Sequence, residues 1–317
     1  MRVLVTGADG FVGSWLVPHL KDSGHTVVAA VRSQEASQET LHRRERLSAA
    51  ERLTSLELSS DESIAALMEE EFDAVVHLAA IASVSEAARD TVRAWEVNTL
   101  GTVRLAEHLS RRSRGGSKPI LLFVSTAEVY GGGSQTPRRE TDPVDPVSSY
   151  AASKLAAEIA VMEVRRRTGL PTIVARSFGH TGPGQTSSFV VPAFTKRLLL
   201  AKRIGAPVVK VGNLEPVREF LHVADVVAAY RLLLERGEPG ETYNVASGTG
   251  VSLHDVFMKL ADAVGHRAVP ETDSSLMRPV DVAYLVGDSE KIREAVGWTS
   301  KIPLEQTLAE VIDAEKN

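Results

Sequence analysis

The feature that most limits how this chain can fold lies at its very start. The apolar run Arg2 to Val5 leads straight into Thr6-Gly7-Ala8-Asp9-Gly10-Phe11-Val12-Gly13, a G-x-x-G-x-x-G turn with a helical pattern behind it. Glycine is needed where a backbone turns tightly, and again where it approaches a phosphate with no side chain between. The helix that follows offers free N–H groups and the positive end of its dipole to an anion. Glycines in a loop would alone mark only a structural turn. Between strand and helix they predict a dinucleotide pyrophosphate held by Gly7, Asp9, Gly10, Phe11, Val12 and Gly13.

The alternation continues. Strands are expected at Arg2 to Val5, Thr26 to Val31, Ser55 to Leu58, Ala74 to Leu78, Ile120 to Ser125 and Pro171 to Arg176. Helical patterns fall near residues 11–23, 62–70, 91–112 and 150–168, and Pro18 should kink the first or delay its start. The predicted class is α/β, a Rossmann-type doubly wound parallel sheet. Strands covered on both faces should be almost wholly apolar, as Leu121-Leu122-Phe123-Val124 is. Beyond residue 176 come a helix at about 190–203, the strand-like Arg218 to His222, a helix at about 223–236, and a tail of short helices and Pro-containing loops. The expected division is 1–176 for the dinucleotide, with part of 217–247 returning to it, and 177–317 as a smaller, partly interleaved substrate domain.

Composition removes other classes. No Lys/Arg run is long enough to track a nucleic-acid backbone, and the net charge is −5. The absence of cysteine excludes disulfides, thiolate nucleophiles and cysteine metal sites, and no metal is expected. Nothing resembles a signal peptide or a membrane span, so a cytoplasmic protein is expected.

The end of the second expected strand bears on the cofactor. NAD enzymes usually carry an acid there for the ribose 2′-hydroxyl, whereas here Arg32 and Ser33 stand with no acid before Glu35. A guanidinium suits a 2′-phosphate, so NADP(H) is favoured over the alternative of a solvated loop arginine.

Tyr150 and Lys154, four residues apart, share one face of a helix. A free phenol, with a pKa of about 10, is too weak an acid for proton exchange at neutral pH. An adjacent ammonium would lower that value. The pair follows the apolar strand ending Ser125-Thr126-Ala127-Glu128, which puts the Thr126 hydroxyl at a carboxyl end, able to bond a substrate oxygen or merely its own turn.

The glycine turn, His77-Leu78-Ala79-Ala80, Asn98, S-T-A-E-V-Y-G and Y-A-A-S-K occur in the order that resembles the extended short-chain dehydrogenase/reductases. The resemblance implies catalysis by Thr126, Tyr150 and Lys154, with Lys154 also on the nicotinamide ribose. It implies Glu57 and Leu58 at the adenine, Leu78, Ala79 and Ala80 along the dinucleotide, and Asn98 in support. The second half, through Arg176-Ser177-Phe178-Gly179-His180-Thr181-Gly182-Pro183-Gly184-Gln185, Lys210 to Phe220, Arg278-Pro279 and the Gly297 to Glu305 tail, resembles GDP-4-keto-6-deoxy-D-mannose reductases. That likeness implies a nucleotide-diphosphate sugar contacted by Thr126, Gly179, His180, Val191, Asn213, Arg218 and Arg278, the arginines clamping pyrophosphate unless spent on neighbours such as Asp281. Gly179 departs from the pattern, which has Asn there, and so leaves GDP or dTDP open.

The implied reaction is NADPH-dependent 4-keto reduction, yielding GDP-D-rhamnose in the GDP case. Glu128 keeps a 4,6-dehydratase open, because elimination needs a base; a 4-epimerase is a further alternative. A non-catalytic NADP(H)-sensing scaffold would have no need for Thr, Tyr and Lys together. The resemblance also implies a homodimer through the helices near 91–112 and 150–168, with Ala151, Leu155, Ile159 and Met162 as a possible face.

Overall fold

The computed structural model describes residues 1–33, 35, 38–112, 118–277 and 281–316. Seven strands form the main sheet: β1 (Arg2–Thr6), β2 (Thr26–Val31), β3 (Arg52–Ser55), β4 (Ala74–His77), β5 (Ile120–Thr126), β6 (Thr172–Ser177) and β7 (Thr242–Val245). Their order is β7-β6-β5-β4-β1-β2-β3 and every pairing is parallel. The chain therefore reverses direction across the sheet between β1 and β4, where ligands bind in such folds.

The alternating residues of each strand face two apolar clusters. Val3, Val5, Val76 and Leu122 pack with the helices Phe11–Asp22 and Val223–Arg236 on one face. Leu4, Val75, Leu121 and Phe123 pack with Leu105, Ala157 and Val161 on the other. A third cluster, including Phe194, Leu198, Phe257, Leu260 and Val311, lies among the helices Val190–Ile204, Leu253–Val264 and Leu304–Lys316. No helix among the described residues is long and apolar enough to cross a membrane.

Several boundaries differ from expectation. β3 ends where Ser55 to Leu58 was expected to begin, because only Leu56 N–H still reaches Val31; the Glu57 N–H turns to the Ser63 hydroxyl instead. The helix starting at Phe11 is not delayed; it runs through Pro18 to Asp22. The single helix expected at 91–112 is Thr91–Trp95, a π-turn at Glu96–Gly101, and Thr102–Ser110. At Gly101 a Cβ would lie 2.7 Å from Leu58 Cβ, so this turn packs directly on the segment after β3. Arg218 to His222 is not one strand: Val217–Arg218 pairs with Tyr284–Leu285, and Leu221–His222 with His180–Thr181.

Candidate active site

At the carboxyl edge of β1 the glycine turn presses against the exit of β4. Gly7 has φ +66°, and a Cβ on it would lie 2.8 Å from the Ala79 backbone. A Cβ on Gly13 would lie 2.4 Å from the Gly7 carbonyl. Leu78 and Ala79 donate backbone N–H groups to the Thr6 carbonyl (3.3 Å) and hydroxyl (3.2 Å), drawing Ala80 alongside. No side chain caps the helix at Gly10, so the amides of Phe11, Val12 and Gly13 remain for an anion. A cradle that any Cβ would fill, opening on uncapped amides, fits a dinucleotide pyrophosphate.

Asp9 turns away from that cradle. Its carboxylate accepts from Arg44 at 3.0 Å, and the same guanidinium nitrogen donates to the Ser33 carbonyl. Arg32 and Ser33 are exposed. Sequence reasoning missed Arg44, which belongs to the unexpected helix Gln38–Glu45; its signal was the His42-Arg43-Arg44 cluster just after β2. Glu57 bonds Ser59 (2.7 Å) and Arg93 (3.3 Å). Burial pushes its pKa up, but these bonds outweigh it and hold the carboxyl below its ordinary value. Leu58 is core.

Thr126 ends β5, and its hydroxyl accepts from the Glu128 N–H at 3.2 Å and lies near enough to the Tyr150 phenol to act on its protonation. Tyr150 and Lys154 lie on the helix Ser149–Thr168, capped by Ser148. The expected depression of the phenol by the lysine is not found. Burial pushes Tyr150 up to about 12, the Thr126 hydroxyl pulls it down, and Glu128 pushes it up. Lys154 stands with its ammonium 4.2 Å from the Phe123 ring centroid. Burial lowers it to about 7 against the opposing pull of Glu158, so near neutral pH its charge is only partial. The phenol is instead held in its protonated form. Sequence reasoning also missed Ser177, the register partner of Thr126, whose hydroxyl meets the Tyr230 phenol at 2.5 Å.

Two buried polar groups brace this helix. The Asn98 side chain is consumed by the Ile81 backbone (2.8 and 3.1 Å) and the Ser153 hydroxyl (3.0 Å), so its link to the site runs through them and not by direct contact. Arg176 donates to Glu158 at 2.8 Å and to the Tyr130 hydroxyl at 3.0 Å, and Tyr130 donates onward to Asn244 at 2.7 Å.

The residues from the second half separate. His180 stacks on Phe11 with ring centroids 6.1 Å apart, which joins the His180–Gln185 loop to the glycine turn. Gly179 cannot bear a side chain, since a Cβ would lie 2.2 Å from the Glu219 carbonyl; this explains the glycine and removes any contact from that position beyond its backbone. Arg218 donates to Asp281 at 2.8 Å, the neighbour anticipated as its competitor. Asn213 accepts from the Glu215 N–H at 3.1 Å as a turn residue. Val191 is a correction: it is wholly buried in the third cluster, because the helix from Val190 turns that face onto Phe257, and it presents no surface to a ligand. Arg278 lies outside the described residues.

Residues 4–311 match the family described as GDP-mannose 4,6 dehydratase. The chain is 32% identical to the GDP-6-deoxy-D-mannose reductase of Pseudomonas aeruginosa, across 98% of its own length and 96% of the relative's. Among solved structures it resembles RMD from Pseudomonas aeruginosa complexed with NADPH (TM-score 0.83, 31% identity, 99% and 98% of the two chains covered). It also resembles the UDP-glucose 4-epimerase of Thermotoga maritima with UDP-glucose (TM-score 0.88, 29% identity, 100% and 99% covered). A parallel seven-stranded sheet, a glycine cradle at its switch point and a match spanning nearly the whole chain lead to one conclusion: the chain belongs to the GDP-mannose 4,6 dehydratase family of epimerase/dehydratase-type short-chain dehydrogenase/reductases.

Proposed function

We propose that the chain is an NADP(H)-dependent 4-ketoreductase of a nucleotide-linked 4-keto-6-deoxyhexose, with GDP-4-keto-6-deoxy-D-mannose as substrate and GDP-D-rhamnose as product. The observation that carries this reading is geometric: the helix Ser149–Thr168 carries Tyr150 and Lys154 together, with Thr126 ending β5 beside the phenol at the carboxyl edge of the sheet. NADPH, when bound, supplies hydride to C4. Tyr150 then gives its proton to the oxygen on which charge builds, and Thr126 bonds that same oxygen. Lys154 orients the ribose. Residues 1–176 with the returning 217–247 hold the dinucleotide, and 177–317 mainly the nucleotide sugar. Arg32 and Arg44, both near Ser33, favour the 2′-phosphate of NADP(H).

The test is nicotinamide absorbance over time with NADPH and freshly generated GDP-4-keto-6-deoxymannose, with NADH and the dTDP-linked analogue in parallel. Stoichiometric NADPH loss with the GDP sugar supports the proposal in full. Loss only with the dTDP sugar moves the nucleotide. No loss with either overturns the reductase. A second reading, a 4,6-dehydratase, is favoured by the Glu128 carboxylate near Tyr150, which would serve as base in elimination. Product formation from GDP-mannose without net cofactor change would establish it.

A further inference from the structure

The helix Phe11–Asp22 touches the His180–Gln185 loop twice, one turn apart. Phe11 stacks on His180 at an interplanar angle of 7°. Trp15, four residues on and so on the same helix face, donates its indole N–H to the Pro183 carbonyl at 3.2 Å. Within the loop the Thr181 hydroxyl donates to the Gln185 amide oxygen at 2.7 Å, and the Gln185 amide donates to the His180 carbonyl at 3.1 Å, while His180–Thr181 pairs with Leu221–His222. Its glycines 182 and 184 have φ +157° and +89°, a backbone shape that glycine adopts readily. Among the described residues, Trp15 makes the one side-chain hydrogen bond from outside this loop onto residues 181–185.

The indole is itself clamped. His222 meets its face edge-on with centroids 5.6 Å apart, and the guanidinium of Arg46 lies 4.1 Å over the ring. Arg46 follows the helix carrying Arg44, which reaches Asp9 and Ser33. His222 bonds Glu310 of the last helix at 3.0 Å. The indole thus stands where the glycine turn, the arginine-bearing segment after β2, and the loop carrying His180 converge.

We infer that Trp15 is a positioning residue that couples occupancy of the glycine turn to the shape of the Gly182–Gln185 loop, so that dinucleotide and nucleotide sugar bind cooperatively. This rests on the dinucleotide reading of the turn given under the proposed function. The cause is mechanical: an anion on the amides of Phe11, Val12 and Gly13 fixes the first helical turn, and Trp15 transmits that fixed position to the Pro183 carbonyl. The coupling requires the Trp15–Pro183 bond to be held more firmly once the turn is occupied.

Trp15→Phe tests it, because the ring contacts with His222 and Arg46 survive and only the indole donor is lost. Hydrogen–deuterium exchange is followed in peptides covering 7–13 and 180–186, with and without NADP+. In the unmodified protein NADP+ is expected to slow both peptides; in Trp15→Phe it slows 7–13 alone. With GDP-4-keto-6-deoxymannose, KM of the variant rises about threefold to tenfold, the reach of one net hydrogen bond, while kcat stays within about twofold. Equal slowing of 180–186 in both proteins overturns the coupling. No slowing of 7–13 in the unmodified protein overturns the dinucleotide reading, and the coupling with it.

Discussion

Tyr150 and Lys154 show how one helical spacing yields different chemistry depending on what surrounds it. The spacing brings both to one face, but burial, with Glu128 acting on the phenol and Glu158 on the amine, sets their protonation. Tyr150→Phe removes the proton donor without touching the glycine turn. Turnover in the reductase assay should fall by about a hundredfold to ten-thousandfold, with NADPH affinity by fluorescence titration nearly unchanged. Lys154 leaves a second signature. Its folded pKa, about 7, lies below its unfolded value of 10.5. Between those values the unfolded chain binds the extra proton, so stability rises with pH across that window, by at most about 1.4 kcal/mol per pH unit. Below pH 7 both states are protonated and the slope vanishes. Lys154→Met should therefore melt above the unmodified protein at pH 7, and the gap should close as pH approaches 10 in thermal melts. A gap constant with pH would show that burial does not depress this lysine.

At the scale of elements, the turn between β1 and its helix depends on close backbone approach more than on any side chain. A Cβ on Gly13 would meet the Gly7 and Ala8 carbonyls at 2.4 and 2.6 Å, too close for relaxation by a side-chain rotation. Gly13→Ala is expected to weaken NADPH binding by about fivefold to 150-fold, as overpacking by one carbon costs about 1–3 kcal/mol. Calorimetric titration would check it. The π-turn at Glu96–Gly101 is a second case: it directs Asn98 inward to Ile81 and Ser153, tying the β4 exit to the helix of Tyr150.

For the whole molecule, the described surface has an apolar region on the two helices expected to pair. Ala151 is core, and Leu155 and Met162 are partly buried against the sheet clusters, so the anticipated stripe reduces to Ile159, 61% exposed. Val92 at 80%, with Leu100 and Trp95, adds to it from the neighbouring helical segments. We propose that a second copy covers this region. Ile159→Glu would bury a charge in that contact, and light scattering should show the dimer giving way to monomer. A species of unchanged mass would refute the pairing.

The sequence by itself determined the elements whose signal is local. The apolar strands, the glycine turn behind β1, and the Tyr-Lys spacing are each written within a few residues, and each lies in the structure within about three residues of its expected place. The order of motifs was likewise enough for family membership. What distant segments do to one another was not legible. Gly179 is glycine because the Glu219 carbonyl passes 2.2 Å from where its Cβ would stand, and the two are far apart along the chain. Arg44 faces Asp9, Val191 turns into a core, and Tyr150 is pushed up by burial and not down by its lysine, all through contacts that exist only once the chain has closed. Burial and close approach are properties of the packed whole, and so tertiary structure alone decided how this site is charged and which of its residues a ligand can meet.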